Sequence, residues 1–261
     1  MRALFTAATG MSAQQLKIDN IANNLANVNT TAYKKSREDF QDLYYQRLRS
    51  TGLASSSGDV TPVGIEVGHG VRVAAVEKMF TQGTFNQTQN ELDLAIEGGG
   101  FFQVELPDGE TVYTRAGNFK RNADGEIVTV DGFKLKPGFA IPQDALSISV
   151  SRDGVVSVLE DGQTQPTELG TLELARFINP GGLESLGRNL YRSTQTSGEA
   201  IVGIPGENGT GTIVQGFLES ANVDVADEMV QMIIAQRAYE TSSRVMSVAD
   251  QMMQYANSLV R

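Results

Sequence analysis

Apolar residues recur every three or four positions at both ends of the chain, whereas in the middle they alternate with polar ones. Near the C-terminus they form one stripe at the coiled-coil period of a helix. No Pro or Gly interrupts the chain after residue 223, so the pattern predicts one long helix, with Asp224 as its N-cap and Asp227 and Glu228 in its first turn. The stripe comprises Met232, Ala235, Tyr239, Ser242, Met246, Ala249, Met253, Ala256 and Val260.

A second apolar row is expected to lie beside this stripe, which would make the apolar face too broad for a two-stranded seam. The stripe itself is filled with Ala, Ser and Met rather than Leu and Ile. A buried Leu contributes roughly 1.5–3 kcal/mol and an Ala much less, so we expect a helix that is weak alone and ordered by packing among many copies. An ordinary core helix explains the stripe equally well. The second row comprises Val245, Val248, Met252, Tyr255 and Leu259.

The N-terminal segment repeats the same period, which predicts a second helix that lies side by side with the first. Five Asn residues cluster around it, although Asn is a poor helix former. A face of amides can exchange hydrogen bonds with identical neighbours; the alternative, which the spacing favours, is that they cap and fray the helix end. The apolar positions are Leu4, Ala7, Met11, Gln14, Ile18, Ile21, Leu25 and Val28, and the cluster is Asn20, Asn23, Asn24, Asn27 and Asn29.

The middle of the chain has the period of β-strands. Phe102, Val104 and Leu106 alternate before an Asp-Gly pair, and such pairs recur at 108, 124, 131, 153 and 161. Asp-Gly tolerates the positive φ that tight hairpins need. The predicted fold class is therefore α+β, with long N- and C-terminal helices paired as a coiled-coil-like domain and flanking a mainly antiparallel β domain.

The segment from residue 36 to 49 has Phe40, Leu43, Tyr44 and Leu48 at helical spacing. This spacing predicts a short helix, or a helix that breaks into a strand. The following residues, 50–58, are rich in Ser and Gly and are expected to form a flexible linker or an extended loop.

Composition argues against several classes of function. The chain of 261 residues carries a net charge of −10, which disfavours a nucleic-acid backbone site. It has no Cys and one His, His69, so thiolate chemistry and Cys-based zinc sites are excluded. Asp93 with Glu97, and Asp227 with Glu228, are acid pairs of a kind common by chance. We expect no enzyme, cofactor, metal or membrane insertion, and the N-terminal apolar run is too short for a secretory signal.

Several motifs together are specific. The run from Asp19 to Lys34, DNIANNLANVNTTAYK, resembles the N-terminal signature of the bacterial flagellar rod and hook proteins. The resemblance continues at residues 96–102, 113–119, 182–191, 215–223 and 232–240 and so covers essentially the whole chain. One departure is Ala32, where the family usually has Gly; because positive φ is costly for Ala, we expect a slightly different exit from the helix.

The resemblance implies a structural subunit of the distal rod, a helical homopolymer that forms the rigid drive shaft from motor to hook across the periplasm. It also implies export without a cleaved signal peptide. The implied partners are further copies, proximal rod proteins, the hook protein, periplasmic and outer-membrane ring proteins, the rod cap and the export apparatus. The alternatives are another axial subunit (proximal rod or hook) and, less favoured, a secreted β-rich glycan-acting enzyme or adhesin.

The implied division of the chain is an inner-tube domain from residues 1–35 and 219–261, a connecting segment with an extended loop at 36–70, and a β-rich outer domain at 71–218. Arg115 and Arg237 lie in the matched motifs and are expected to pair with carboxylates. Assembly contacts are expected from Leu4, Met11, Ile18, Asn20, Ile21, Asn23, Asn24, Leu25, Asn27 and Val28, and from Met232, Ala235, Gln236, Arg237, Tyr239, Met246, Ala249, Met253, Ala256 and Val260.

Overall fold

A computed structural model describes residues 2–49, 64–161 and 165–259. The chain divides into two compact units. A helical unit takes in Met1–Leu25, Ser36–Glu77 and Asp224–Arg261, and a β unit takes in Ala26–Lys35 and Lys78–Val223. The chain therefore passes from one unit to the other four times, after residues 25, 35, 77 and 223.

The helical unit contains both terminal helices and two short antiparallel ribbons. Strand β1 pairs with β4, and β2 pairs with β3 so that Tyr45 lies opposite Gly68. The elements are α1 (Arg2–Ala26), β1 (Ser36–Asp42), β2 (Tyr45–Arg49), β3 (Ile65–Gly68), β4 (Val71–Lys78) and α2 (Val225–Leu259).

Residues 36–49 form two strands, so the helix predicted for this segment is wrong. Their long-range partners β3 and β4 supply the backbone hydrogen bonds that a helix would otherwise have made locally, and tertiary pairing of this kind overrides a weak local preference. The apolar side chains at helical spacing stay largely exposed, Tyr44 at 79 %. The extended loop predicted after Arg49 falls at residues 50–63, outside the described part of the chain.

The β unit is built on a nine-stranded sheet. Its main path runs β16-β17-β8-β7-β11-β10-β9, and β15 joins β7 to β18. Strands β12, β13 and β14 form a separate sheet, and β6 pairs with β19 and β5 with β20. The strands are β5 (Phe85–Gln87), β6 (Leu94–Glu97), β7 (Phe101–Glu105), β8 (Thr111–Thr114), β9 (Lys120–Arg121), β10 (Ile127–Val128), β11 (Lys134–Lys136), β12 (Ala145–Val150), β13 (Val155–Glu160), β14 (Thr167–Thr171), β15 (Leu174–Arg176), β16 (Glu184–Gly187), β17 (Leu190–Arg192), β18 (Ile201–Gly203), β19 (Thr212–Gln215) and β20 (Phe217–Glu219), with a 3-10 turn at Pro180–Gly182.

Two apolar clusters fill the β unit, one on each face of β7. Alternation along β7 directs Phe102 and Val104 into an aliphatic core and Phe101 into an aromatic one. In the aromatic core, Tyr113 and Phe177 meet edge to face with ring centroids 4.7 Å apart. The predicted antiparallel β domain and paired terminal helices, and with them the α+β class, are confirmed.

The Asp-Gly pairs mark tight turns, as predicted. Gly109, Gly125, Gly132 and Gly154 have φ between 81° and 87°. They lie in the connections β7–β8, β9–β10, β10–β11 and β12–β13. The fifth pair ends at Gly162, which lies outside the described residues.

Ala32 adopts the left-handed conformation that we expected it to avoid, with φ 56°. Its N–H donates to the carbonyl oxygen of Glu219 at 2.7 Å, and its side chain is fully buried. The prediction of an altered exit from the helix gave too little weight to these tertiary contacts, because a buried hydrogen bond and a packed methyl group offset the local strain.

Candidate assembly surface

Helix α2 begins where the sequence predicts. The Asp224 carboxylate oxygen Oδ1 accepts hydrogen bonds from the N–H groups of Ala226, at 2.9 Å, and Asp227, at 3.3 Å. Asp227 and Glu228 follow in the first turn, where the positive end of the helix dipole favours acids. The helix then runs for 35 residues, or roughly 52 Å at 1.5 Å per residue.

Helices α1 and α2 lie side by side and antiparallel. A Cβ atom on Gly10 would lie 3.7 Å from Ser242 Oγ. The Lys17 ammonium donates to the Gln231 side chain at 3.3 Å, and the Asn24 amide to the Glu228 carboxylate at 3.4 Å. Positions that rise along α1 meet positions that fall along α2, which fixes the direction of the pair.

The predicted α2 stripe is the face turned toward α1. Ala235 is buried, and Met232, Ser242, Met246 and Ala249 are half-buried. Tyr239 is just exposed, at 37 %. The small residues expected to pack between copies therefore pack within one subunit along this stretch. Of the other predicted α2 positions, Gln236, Arg237, Met253 and Ala256 are exposed, and Val260 lies outside the described residues.

The predicted α1 positions are also largely occupied within the subunit. Ile21 and Asn24 are buried, Asn23 is exposed, and the helix ends at Ala26. Val28 therefore lies beyond the helix, and Asn27 bonds near its end, where its side-chain oxygen accepts from the Thr30 hydroxyl at 3.2 Å. The half-buried members of the set are Leu4, Met11, Ile18, Asn20, Leu25, Asn27 and Val28.

Two members of the Asn cluster hold strand β1. The Asn24 side chain bonds Ser36 twice, accepting from its N–H and donating to its carbonyl, both at 3.0 Å. Asn20 donates to the same carbonyl at 3.0 Å and to the Glu38 carboxylate. The sequence suggested either contacts between copies or capping of the helix end for the Asn cluster, and neither describes Asn20 and Asn24. Their shared partner is the backbone of Ser36, in a segment that the spacing of apolar residues had predicted to be helical.

We expect Asn24→Ala to release the start of β1. The substitution leaves the Ser36 N–H without its acceptor, and an unsatisfied buried group costs about 1–3 kcal/mol. Hydrogen exchange on the purified chain should show faster exchange of the Ser36 amide, while Asn29→Ala, a change at an exposed position, should not. Unchanged protection of Ser36 in the Asn24 variant would contradict the assignment.

The second apolar row of α2 lies next to the stripe, about 100° further round the helix, because each of its members directly precedes a stripe residue. Val245 and Val248 are each 48 % exposed and Tyr255 is 73 % exposed. Val230 and Ile234, which are also exposed, lie on the same side of the helix nearer its start, with Ala238 and Thr241 between them and Val245. We call Val230, Ile234, Val245, Val248, Met252, Tyr255 and Leu259 the outer row.

The end of α2 extends beyond α1. Because Gly10 lies opposite Ser242, the start of α1 is level with about residue 250 at equal rise in both helices. Every residue from 251 to 259 is exposed, including the outer-row members Met252, Tyr255 and Leu259. These apolar side chains therefore have no cover from the described residues of their own subunit.

A second cluster of polar side chains lies inside the β unit. Glu219 is 2 % exposed, and its carboxylate accepts from Lys34 Nζ at 2.6 Å and from Arg115 Nε at 2.7 Å. Its Oε1 also accepts from the Gly83 N–H at 2.9 Å. The expectation that Arg115 pairs with a carboxylate is met within the subunit, whereas Arg237 has no ion pair within the described residues.

The positive partners of Glu219 complete their hydrogen bonding with backbone carbonyls. Arg115 donates to Gly98 at 2.6 Å and to Gly100 at 2.7 Å, and Lys34 donates to Thr81 at 2.7 Å. Burial alone would raise the pKa of Glu219, but the charges of Arg115 and Lys34 outweigh it and hold that pKa below its usual value. Burial lowers the pKa of Lys34, against the opposing effect of Glu219.

Asn222, three residues further on, joins the same segments. Its side-chain oxygen accepts from the Lys35 N–H at 2.7 Å, and its amide donates to the Met79 carbonyl at 2.8 Å and to the Thr81 hydroxyl at 2.9 Å. The Met79 N–H donates to the Lys35 carbonyl at 2.9 Å. We call Lys34, Arg115, Glu219 and Asn222 the anchor; all four belong to the β unit. These four residues lie in the motifs noted in the sequence, but nothing in the sequence indicated that they contact one another.

The residues considered for chemistry do not form a site. Asp93 is buried and accepts from the Asn90 amide at 2.9 Å, whereas Glu97 is exposed. Within residues 2–49, 64–161 and 165–259, His, Asp and Glu side chains form no group suited to a metal ion. No helix in that part of the chain is long and apolar enough to cross a membrane.

Three family models match successive parts of the chain. Residues 4–34 match the flagella basal body rod protein model, and residues 95–158 match the D1 domain of the flagellar hook protein FlgE/F/G. Residues 214–259 match the C-terminal model of the flagellar basal body rod FlgEFG proteins. The matched parts contain α1, the central strands of the β unit and α2.

Full-length relatives agree with these models. The flagellar basal-body rod protein FlgG of Borreliella burgdorferi is 48 % identical over 263 residues, covering 100 % of this chain and 99 % of that protein. FlgG of Caulobacter vibrioides is 49 % identical, with 99 % of each chain covered. FlgG of Bacillus subtilis is 38 % identical, with 100 % of each covered. The chain therefore belongs to the FlgG family of flagellar basal-body rod proteins.

Proposed function

We propose that this chain is the structural subunit of the distal rod, and that it polymerises helically into the shaft that carries torque from motor to hook. The outer row of α2 is the observation that carries the proposal. Monomeric proteins seldom expose large groups of neighbouring apolar side chains, and such a group marks a surface for another protein. Since the other apolar face of α2 is turned to α1, the outer row is available for neighbouring copies.

A polymer built through this row is an open assembly. One surface of each subunit binds a different surface of the next, and such heterologous contacts generate a helix when the rotation does not close into a ring. In this proposal residues 1–35 and 219–261 form the inner tube, 36–70 connect it, and 71–218 form the outer layer. The predicted assembly residues of the stripe then act indirectly, by holding α2 against α1.

The subunit assembles in the flagellar basal body with other axial proteins. We propose as specific partners further copies of this chain, the proximal rod proteins, the hook protein, the periplasmic and outer-membrane rings and the rod cap. The flagellar export apparatus would deliver the chain to a rod that spans the periplasm. The proposed role is mechanical and uses no catalytic step, cofactor or metal. The alternative of a glycan-acting enzyme or adhesin is not supported, because the full-length relatives of this chain are rod proteins.

Deleting the gene in its host tests the distal position. Electron tomography of the basal bodies should show rods that stop short in the periplasm and carry no hook, and a plasmid copy should restore them. A complete rod that lacks only its hook would move the chain to another axial position. Intact flagella on the deletion strain would overturn the proposal.

A further inference from the structure

We propose that the anchor is the point at which force passing along the chain from the helical unit enters the β unit. The inference rests on the proposed rod function, because a subunit of a rotating shaft has to carry force from one part of itself to another. It concerns which residues do so, and it follows from where the chain connections run.

The anchor holds three of the four segments by which the chain changes units. Lys34 and Lys35 are the last two residues before the crossing after residue 35, Met79 is the second residue after the crossing at 77, and Asn222 is the second-to-last before the crossing after 223. Asn222 bonds both other segments through one side chain. Tension arriving along any of these connections therefore meets the anchor within two residues of entering the β unit.

The remaining crossing, after residue 25, leads into the same cluster a few residues later. The Ala32 N–H donates to the Glu219 carbonyl, and the Lys34 ammonium donates to the Glu219 carboxylate. Glu219 ends strand β20, and Arg115 ties it to the carbonyls of Gly98 and Gly100. Force reaching Glu219 is thus passed to the loop that opens β7, the strand at the centre of the main sheet.

The buried charges of the anchor are better explained by the transmission of force than by a contribution to the stability of the fold. A buried ion group is weak evidence for stability, since apolar residues of the same volume often serve as well, but it fixes the geometry of its partners. Charged hydrogen bonds are short and directional, so segments held by them resist being turned as well as being pulled. A shaft subunit needs that property where its connections converge.

The chain offers a matched control for Asn222. Asn122 also bonds through both ends of its side chain: it accepts from the N–H groups of Asp124 and Glu126, at 2.9 and 2.8 Å, and donates to the Glu126 carboxylate at 3.0 Å. Those contacts are confined to one turn between β9 and β10. Asn222→Ala and Asn122→Ala therefore remove similar bonding from the same unit, and only the first lies on the path of the force.

Pulling on single full-length chains distinguishes Asn222→Ala from Asn122→Ala by the rate at which the β unit ruptures under force. The chain has no Cys, so Ser243→Cys in α2 and Asp108→Cys in the β7–β8 turn provide unique handles for optical tweezers. Force on Ser243→Cys reaches the β unit along the chain through Val223 and, while α2 stays packed on α1, also through the other crossings, all of which lead to the anchor. At constant force, Asn222→Ala should raise the rupture rate about tenfold, which corresponds to about 1.4 kcal/mol, and Asn122→Ala should leave it near that of the parent.

Equal rupture rates for Asn222→Ala and the parent, or an equal increase for Asn122→Ala, would overturn the proposal. If Asn222→Ala does not fold, Thr81→Val removes only the hydroxyl to which the Asn222 amide donates at 2.9 Å, and it should give a smaller increase of the same sign. These measurements use isolated chains, so their failure would leave the rod assignment to be decided by the gene deletion.

Discussion

Replacing Glu219 by Gln should lower the free energy of unfolding by about 3–5 kcal/mol, the usual cost of breaking a buried ion group on one side. The substitution leaves Lys34 and Arg115 charged and buried without their counter-charge. Urea unfolding at neutral pH measures the loss. Glu126→Gln is the matched control, because Glu126 also pairs with a Lys, Lys134, at 2.8 Å, but on the surface. Exposed pairs contribute about 0–1 kcal/mol, and a similar loss in both variants would contradict the argument.

The same carboxyl should make stability depend on pH. The pKa of Glu219 in the folded chain lies below its ordinary value, which in an unfolded chain is about 4.3. Above that value Glu219 is ionised in both states, and its contribution is fully present. As the pH falls below it, the unfolded chain takes up the proton first, so stability declines until the pH passes through the folded pKa. The free energy of unfolding of Glu219→Gln should lack this part of the decline at low pH. The same dependence on pH in the variant and the parent would contradict the assignment to Glu219.

The elements with strong local signals could be predicted from the sequence. The period of α2 and its N-cap at Asp224 depend on neighbours in the chain, and so do the Asp-Gly turns that end at Gly109 and Gly154. Local chemistry of this kind is decided within a few residues, which is why the α+β class followed from pattern alone. The family resemblance added the function but no contact.

The features that depended on distant partners could not be predicted. Residues 36–49 became strands because β3 and β4 lie within reach, and Asn24 became a backbone clamp because Ser36 is extended. The stripe on α2 and its outer row look equally apolar in the sequence, so which one α1 covers was open. The anchor joins positions such as 34, 115 and 219, whose separation in the chain hides their contact.

The outer row supplies the second large effect, because we expect Val245→Glu with Val248→Glu to abolish rod assembly while leaving the subunit folded. Both side chains are about half exposed, and Glu is at least as good a helix former as Val. The helical content of the purified chain and its free energy of unfolding should therefore stay within about 0.5 kcal/mol of the parent. In the polymer, however, two charges would have to leave water at an apolar contact.

The cost of that desolvation is several kcal/mol for each charge, and 1.4 kcal/mol already weakens association tenfold. Two charges should therefore weaken each contact by at least about a hundredfold, enough to stop growth of the polymer. Expression of the variant in the deletion strain, followed by tomography and a swimming assay, should show short rods and no motility. Ser243→Glu with Ser247→Glu adds the same charge to the same turns of α2 but on another side of the helix, and it should restore rods. Normal rods from the valine variant, or an equal defect from the serine variant, would show that the outer row is not the surface on which the rod is built.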